Sequence, residues 1–105
     1  MNIANFIVMG VVTKTPEVIV PAKGKTFARF SVTIKKGKKA RVYTVVARKH
    51  YKKIMRTVKE GTTVLVEGRP TVEVYEKETK LPIGLVRVDY KGRIVVRANS
   101  IKVIG

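Results

Sequence analysis

Apolar and polar residues alternate with period two over most of the chain, and Val, Ile and Thr fill many of the alternating positions, the pattern of half-buried strands. A first strand is predicted over residues 3–13, with Gly10 in its middle where a bulge or sharp bend is expected, and residues 17–20 continue it after Pro16. The turn "PAKGK" then reverses the chain. In "FARFSVTIK", Ala28, Phe30, Val32 and Ile34 share one face, while Phe27, Arg29, Ser31, Thr33 and Lys35 share the other. The first set is predicted to be core. "KKGKK" reads as a tight, Gly-containing hairpin connection, from which residues 41–48 return as the third strand.

One segment changes period. Over residues 49–59 the apolar side chains Tyr51, Ile54, Met55 and Val58 recur at helical spacing, with Lys and Arg on the remaining positions. Gly61 stands where a left-handed helix terminator is expected. "TTVLVEGRPTVEVYE" follows as a long strand interrupted at residues 68–70, and "EKETKLPIG" reads as a protruding loop. "LVRVDYKGRIVVRANSIKVI" reads as a further hairpin, turning at residues 90–92 and ending in the strand that closes the sheet. Three strands, one helix and two strands give an all-β chain, a five-stranded Greek-key OB-fold barrel with one short helix between the third and fourth strands. An SH3-like barrel, the main rival, normally lacks that helix. Residues 1–105 are expected to form a single domain.

Charge narrows the function. The 23 Lys and Arg against 7 acidic residues give a formal net charge of +16, a field that attracts polyanions such as nucleic acid or an anionic membrane. The one helical pattern is short and needed for the core, which argues against the membrane. The absence of Gln and the abundance of Val, Ile and Lys suggest a thermophilic source, but that enrichment normally adds Glu with Lys and leaves the surplus unexplained. Without Cys there is no disulfide, thiolate nucleophile or Cys metal site, and His50 is the sole histidine. The acidic residues form no close pair in sequence, so general acid–base and two-metal chemistry lack their parts, and neither enzyme nor cofactor is expected. No secretory signal or membrane-spanning run is visible, so a soluble, cytoplasmic, nucleoid-associated protein is the expectation.

The basic finger Lys35, Lys36, Lys38, Lys39 and Arg41 joins the two strands whose outer face an OB barrel uses for oligonucleotides. Its bland reading is a solvated hairpin whose charges keep an edge from aggregating. Phe27 and Arg29, on the non-core face of the second strand, are candidates for a base-stacking platform, with capping of the barrel end or a subunit contact as the alternative for Phe27. Tyr43 shares parity with Val45 and Ala47, which points to the core. Tyr75 and Tyr90 flank the predicted loop, with Lys77 and Lys91 beside them.

Particular residues go further. "NFIVMGVVTKTPEV" resembles the opening of bacterial-type single-stranded DNA-binding proteins, with Gly10, Pro16 and Glu17 at the family's spacing. "ARFSVTI" is similar to the second strand of that family, and "YTVVARKHYKKIMRTVKEGTTVLVEGRP" to its third strand, helix and fourth strand, with "KEGTTVLVEGR" the most specific piece. The resemblance implies single-stranded DNA binding without strong sequence preference, DNA favoured over RNA, in replication, restart, recombination or repair. It also implies a homodimer or homotetramer. Carried over residue by residue, it places Tyr75 at a stacking aromatic, Arg48 where another aromatic is common, and Val42 or Tyr43 at a third, with Arg69 at the end of the fourth-strand element. The family's Trp residues are missing, so charge is expected to replace stacking. Its acidic C-terminal tip is missing from the sequence too, so recruitment of replication proteins through that tip is not carried over. An RNA-binding OB module, and a basic oligomeric adaptor that docks an acidic protein, remain the alternatives.

Overall fold

The computed structural model describes residues 6–105. Its elements run β1 (Phe6–Ile19), β2 (Phe27–Lys36), β3 (Lys39–Ala47), α1 (Tyr51–Thr57), β4 (Thr63–Lys80), a single 3-10 turn (Pro82–Gly84) and β5 (Val86–Val103). The strands close into a barrel in the order β1-β2-β3-β5-β4. All neighbours are antiparallel except β3 and β5, which run parallel through Thr44↔Val95, Val45↔Val96 and Val46↔Arg97. This is the predicted OB-fold, with its helix between β3 and β4.

The core follows the period-two pattern. Val8 and Val12 of β1, Ala28, Phe30 and Val32 of β2, Tyr43, Val45 and Ala47 of β3, Val64 and Val66 of β4, and Val96 of β5 are buried together. Ile34 packs partly against them. Branched Val side chains fill most of this interior, which suits a narrow barrel in which each strand presents one face inward. α1 and the residue after it close one end: Ile54 of the helix and Val58 just beyond it are buried, and Tyr51 and Met55 lie against the core.

Several predicted boundaries move. Residues 3–5 of the first predicted strand lie outside the described residues, and β1 runs unbroken from Phe6 through Pro16 to Ile19, taking up the irregularity as register shifts between Val12, Lys14 and Glu17. The helix is shorter than residues 49–59, because His50 sits in a left-handed conformation (φ 58°) and Val58 is already extended (φ −94°, ψ 119°). The connector after it is tied to β1 by Gly61 N–H donating to the Val12 carbonyl (2.7 Å) and Val12 N–H donating to the Thr62 carbonyl (2.8 Å).

The largest correction concerns the second half. The predicted loop at residues 76–84 is strand as far as Lys80, and the predicted hairpin turn at residues 90–92 is the middle of β5. The chain reverses at Pro82–Gly84 instead, and β4 pairs with β5 from Val64↔Val103 out to Lys80↔Val86. The two strands thus leave the barrel as one long two-stranded arm.

Candidate nucleic-acid interface

Because paired residues in a ladder share a face, register assigns every outward side chain. On β2 the outer set is Phe27, Arg29, Ser31, Thr33 and Lys35, and on β3 it includes Val42, Thr44 and Val46. The parallel pairing of β3 with β5 brings Val95 and Arg97 onto the same side, and the β4 ladder adds Arg69 opposite Arg97. Continuing along the arm, this face carries Glu73 opposite Arg93, Tyr75 opposite Lys91, and Lys77 opposite Asp89. One surface therefore runs from β2 across β3 and β5 onto β4 and out along the arm.

The basic finger is a two-residue hairpin turn, Gly37 and Lys38, between the paired Lys36 and Lys39. Gly37 has φ 60°, the positive first position of a type II′ turn, which a side-chain-bearing residue enters only with strain. The five charges do not share one face. Lys35 lies on the outer side, whereas Lys36, Lys39 and Arg41 follow the parity of Ile34 and Tyr43 and so project from the other side of the hairpin, past the end of the core. All five are exposed and none enters an ion pair among the described residues.

Arg29 is differently placed. Its guanidinium is 3.5 Å from the Glu17 carboxylate, which also meets Lys14 at 3.7 Å. Such exposed pairs are worth about 0–1 kcal/mol, so Arg29 is held in position without being withdrawn from an incoming phosphate. Phe27 is half-buried beside Ile19 in the ladder, and Arg48 is exposed just past the end of β3.

Tyr75 is 47% exposed, and the Arg93 guanidinium lies 5.6 Å from its ring centroid. Arg93 is anchored in turn by Glu73 at 3.2 Å. The ring, its cation and the facing Lys91 form a compact unit suited to stacking a base and holding the neighbouring phosphate.

Besides the finger residues Lys36, Lys39 and Arg41, two predicted aromatics do not join this surface. Tyr43 is 7% exposed, with its ring centroid 5.6 Å from that of Phe6, so it completes the core and has no free face to offer a base. Tyr90 is exposed, but it pairs with Glu76 and stands on the opposite side of the arm from Tyr75, among Val72, Val74 and Val88. The interface also holds residues that the sequence reading missed: Arg93 and Arg97. Their spacing in "RIVVR" puts both on one strand face with Val95, a signal concealed by the turn assigned at residues 90–92.

The core placement of Tyr43 is testable. A Tyr43→Leu variant is expected to cost roughly 1–2 kcal/mol in thermal or chemical unfolding, through imperfect volume replacement and the lost aromatic pair. Its affinity for oligothymidine should stay within about twofold of wild type, whereas a residue that stacks a base contributes about 1–3 kcal/mol.

Residues 3–101 match the model of the single-strand binding protein family. The chain belongs to that family. Among solved structures, it is similar to the Plasmodium falciparum SSB in complex with ssDNA, at 17% identity and a TM-score of 0.64, over 99% of this chain and 95% of that one. It is also similar to the mitochondrial single-stranded DNA-binding protein Rim1 of S. cerevisiae, at 13% identity and a TM-score of 0.70, over 99% of this chain and 97% of that one. At such identities the likeness is one of fold. No curated protein sequence matches the chain. Membership agrees with the motifs along "NFIVMGVVTKTPEV" and "KEGTTVLVEGR", although Asn5 lies outside the described residues. Among the described residues no group of His, Asp and Glu is placed to hold a metal ion, and no helix is long and apolar enough to cross a membrane.

Proposed function

We propose that the protein binds single-stranded DNA without strong sequence preference on the outer face of β2, β3, β5 and the arm. The observation that carries this is the continuity of that face: Lys35, Arg29, Arg97, Arg69, Lys91, Lys77 and the Tyr75–Arg93 unit lie along one side of one sheet. Lys36, Lys38, Lys39 and Arg41 stand beside it at the finger. A basic track with a few π faces holds a flexible strand through its phosphates and stacks whichever bases pass, because every base has a π face. Duplex DNA, with its bases stacked inside, offers nothing to Tyr75. The role is binding rather than catalysis, in the cytoplasm at the nucleoid, where exposed single strands arise during replication, restart, recombination and repair. Family membership and the surplus of 16 positive charges support it.

A second copy of the chain completes the assembly. Ile7, Met9 and Val11 form an exposed apolar row on the outer side of β1, beside Leu65 of β4, and a homodimer or homotetramer that covers this row removes it from water.

The test is a fluorescence-anisotropy titration with oligothymidine, an RNA of matched sequence and duplex DNA across a salt series. Tight, salt-dependent binding of oligothymidine over duplex is expected; equal affinity for the RNA would move the protein to the RNA-binding modules, and no affinity at low salt would end the nucleic-acid reading. Tyr75→Ala should weaken oligothymidine binding by about 1–3 kcal/mol with little change in salt slope. The ring is exposed, so its melting temperature should barely move.

A further inference from the structure

Six cations, Arg48, Lys49, Lys52, Lys53, Arg56 and Lys59, crowd the stretch from the end of β3 to the end of the helical connector, with no Asp or Glu among them. All six are exposed, and none enters an ion pair among the described residues. Since Tyr51, Ile54, Met55 and Val58 turn inward, the charge gathers on the outer side of α1.

For the protein alone this pattern is unfavourable. Lys52 and Arg56 are like charges four residues apart, which repel across one helical turn. Lys52 and Lys53 stand in the first turn, where the positive end of the helix dipole opposes them, and that turn has no acidic residue to compensate. A helix of seven residues has little intrinsic stability to spare for such a pattern. Solubility alone is served as well by mixed charge. The missing partner is therefore an external anion. Its route is marked by Arg48, which follows the last residue of β3 and borders a shallow hollow shared with Lys52, Lys53 and Arg56. The outer sheet face thus passes into the helix surface through Arg48, and the Glu17 carboxylate at the β1 side of that path is already paired with Arg29 and Lys14.

We infer that the exposed side of α1 is a second phosphate-tracking surface for single-stranded DNA, engaged by a strand that has crossed the outer sheet and leaves it past Arg48. The inference rests on the proposed single-strand binding. No exposed Phe or Tyr stands among the helix cations, Tyr51 being half-buried against the core and His50 the exposed ring beside them, so this segment holds mainly backbone and adds length to the bound strand with little base stacking. Short strands satisfy the sheet face and do not reach it.

The experiment compares wild type with Lys52→Ala/Lys53→Ala/Arg56→Ala on two oligothymidines. One is about 8 nucleotides long, within the range that one OB fold holds, and the other is about 30. For the long strand the slope of log affinity against log salt should fall by about 2, from three phosphates at about 0.7 each. For the short strand, affinity and slope should stay within about twofold of wild type. A second variant, Lys52→Glu/Lys53→Glu, puts acids where the helix dipole favours them, so its melting temperature should hold or rise while long-strand binding falls. A purely structural role would move both together. An unchanged long-strand slope, or equal losses on both strands, overturns the inference while the single-strand reading stands. A wild-type protein that binds neither oligonucleotide overturns both.

Discussion

Replacing Lys36, Lys38 and Lys39 together by Ala is expected to lower the slope of log affinity against log salt for oligothymidine by about 2. Each phosphate neutralised on a single strand contributes about 0.7 to that slope through released counterions. Across a tenfold change in salt the variant and wild type should therefore diverge by about 100-fold in relative affinity. The fold should not suffer. Gly37 makes the turn, and the Lys36↔Lys39 pair is held by its backbone. Like charges directly opposite in a ladder repel, so removing them is expected to leave the melting temperature unchanged or raise it slightly. An anisotropy titration beside a thermal melt reads both quantities. An unchanged slope in a protein that still loses affinity on Tyr75→Ala would reduce the finger to a solvated edge, and place the electrostatic grip on Arg69, Arg93, Arg97 and their neighbours.

The parts of the fold legible in the sequence are those where one face of a strand is buried. Along β2 the alternation of Ala28, Phe30, Val32 and Ile34 with Arg29, Ser31 and Thr33 names the inward set, and the structure buries the first three while Ile34 packs partly against them. The same parity groups Tyr43 with Val45 and Ala47, and the structure buries it, whereas the family resemblance offers Val42 or Tyr43 for stacking. The arm was illegible for the opposite reason. Along the arm, residues 72–94, both faces of β4 and β5 meet solvent, so burial imposes no pattern, and two turn signals compete: "DYKG" and "LPIG". Only the cross-strand register decides between them, and it sends Tyr75 and Tyr90 to opposite sides. Arg97 joins the site through the parallel pairing of β3 with β5, a contact between distant segments that no local spacing encodes.

That closure also locates the substitution with the largest expected effect on stability. Gly68 pairs with Phe6 of β1 on one side and Ala98 of β5 on the other, at the register shift between Glu67 and Gly68. A Cβ built on Gly68 would crowd the Arg97 carbonyl oxygen and stand 2.8 Å from its carbon and 2.9 Å from the Ala98 Cα. These are backbone atoms and cannot rotate away, so β4 and β5 would have to part. Overpacking a tight interior costs about 1–3 kcal/mol, and with no side chain able to yield, Gly68→Ala belongs at about 3. At about 4–8 °C per kcal/mol for a domain near this size, the melting temperature should fall by roughly 12–24 °C. Gly92→Ala is the control: its Cβ would meet nothing closer than the Val72 Cγ1 at 3.7 Å, and it should stay within about 0.5 kcal/mol of wild type. The consequence reaches the interface, because Arg69 and Arg97 face each other immediately beside this contact and the arm begins there. Parting the strands tilts Tyr75 and Arg93 away from β3, so Gly68→Ala should also weaken oligothymidine binding at temperatures where it remains folded. A variant that melts with wild type would mean the closure has slack, and the Arg97–Arg69 register would then not be what keeps the arm in line with the outer sheet.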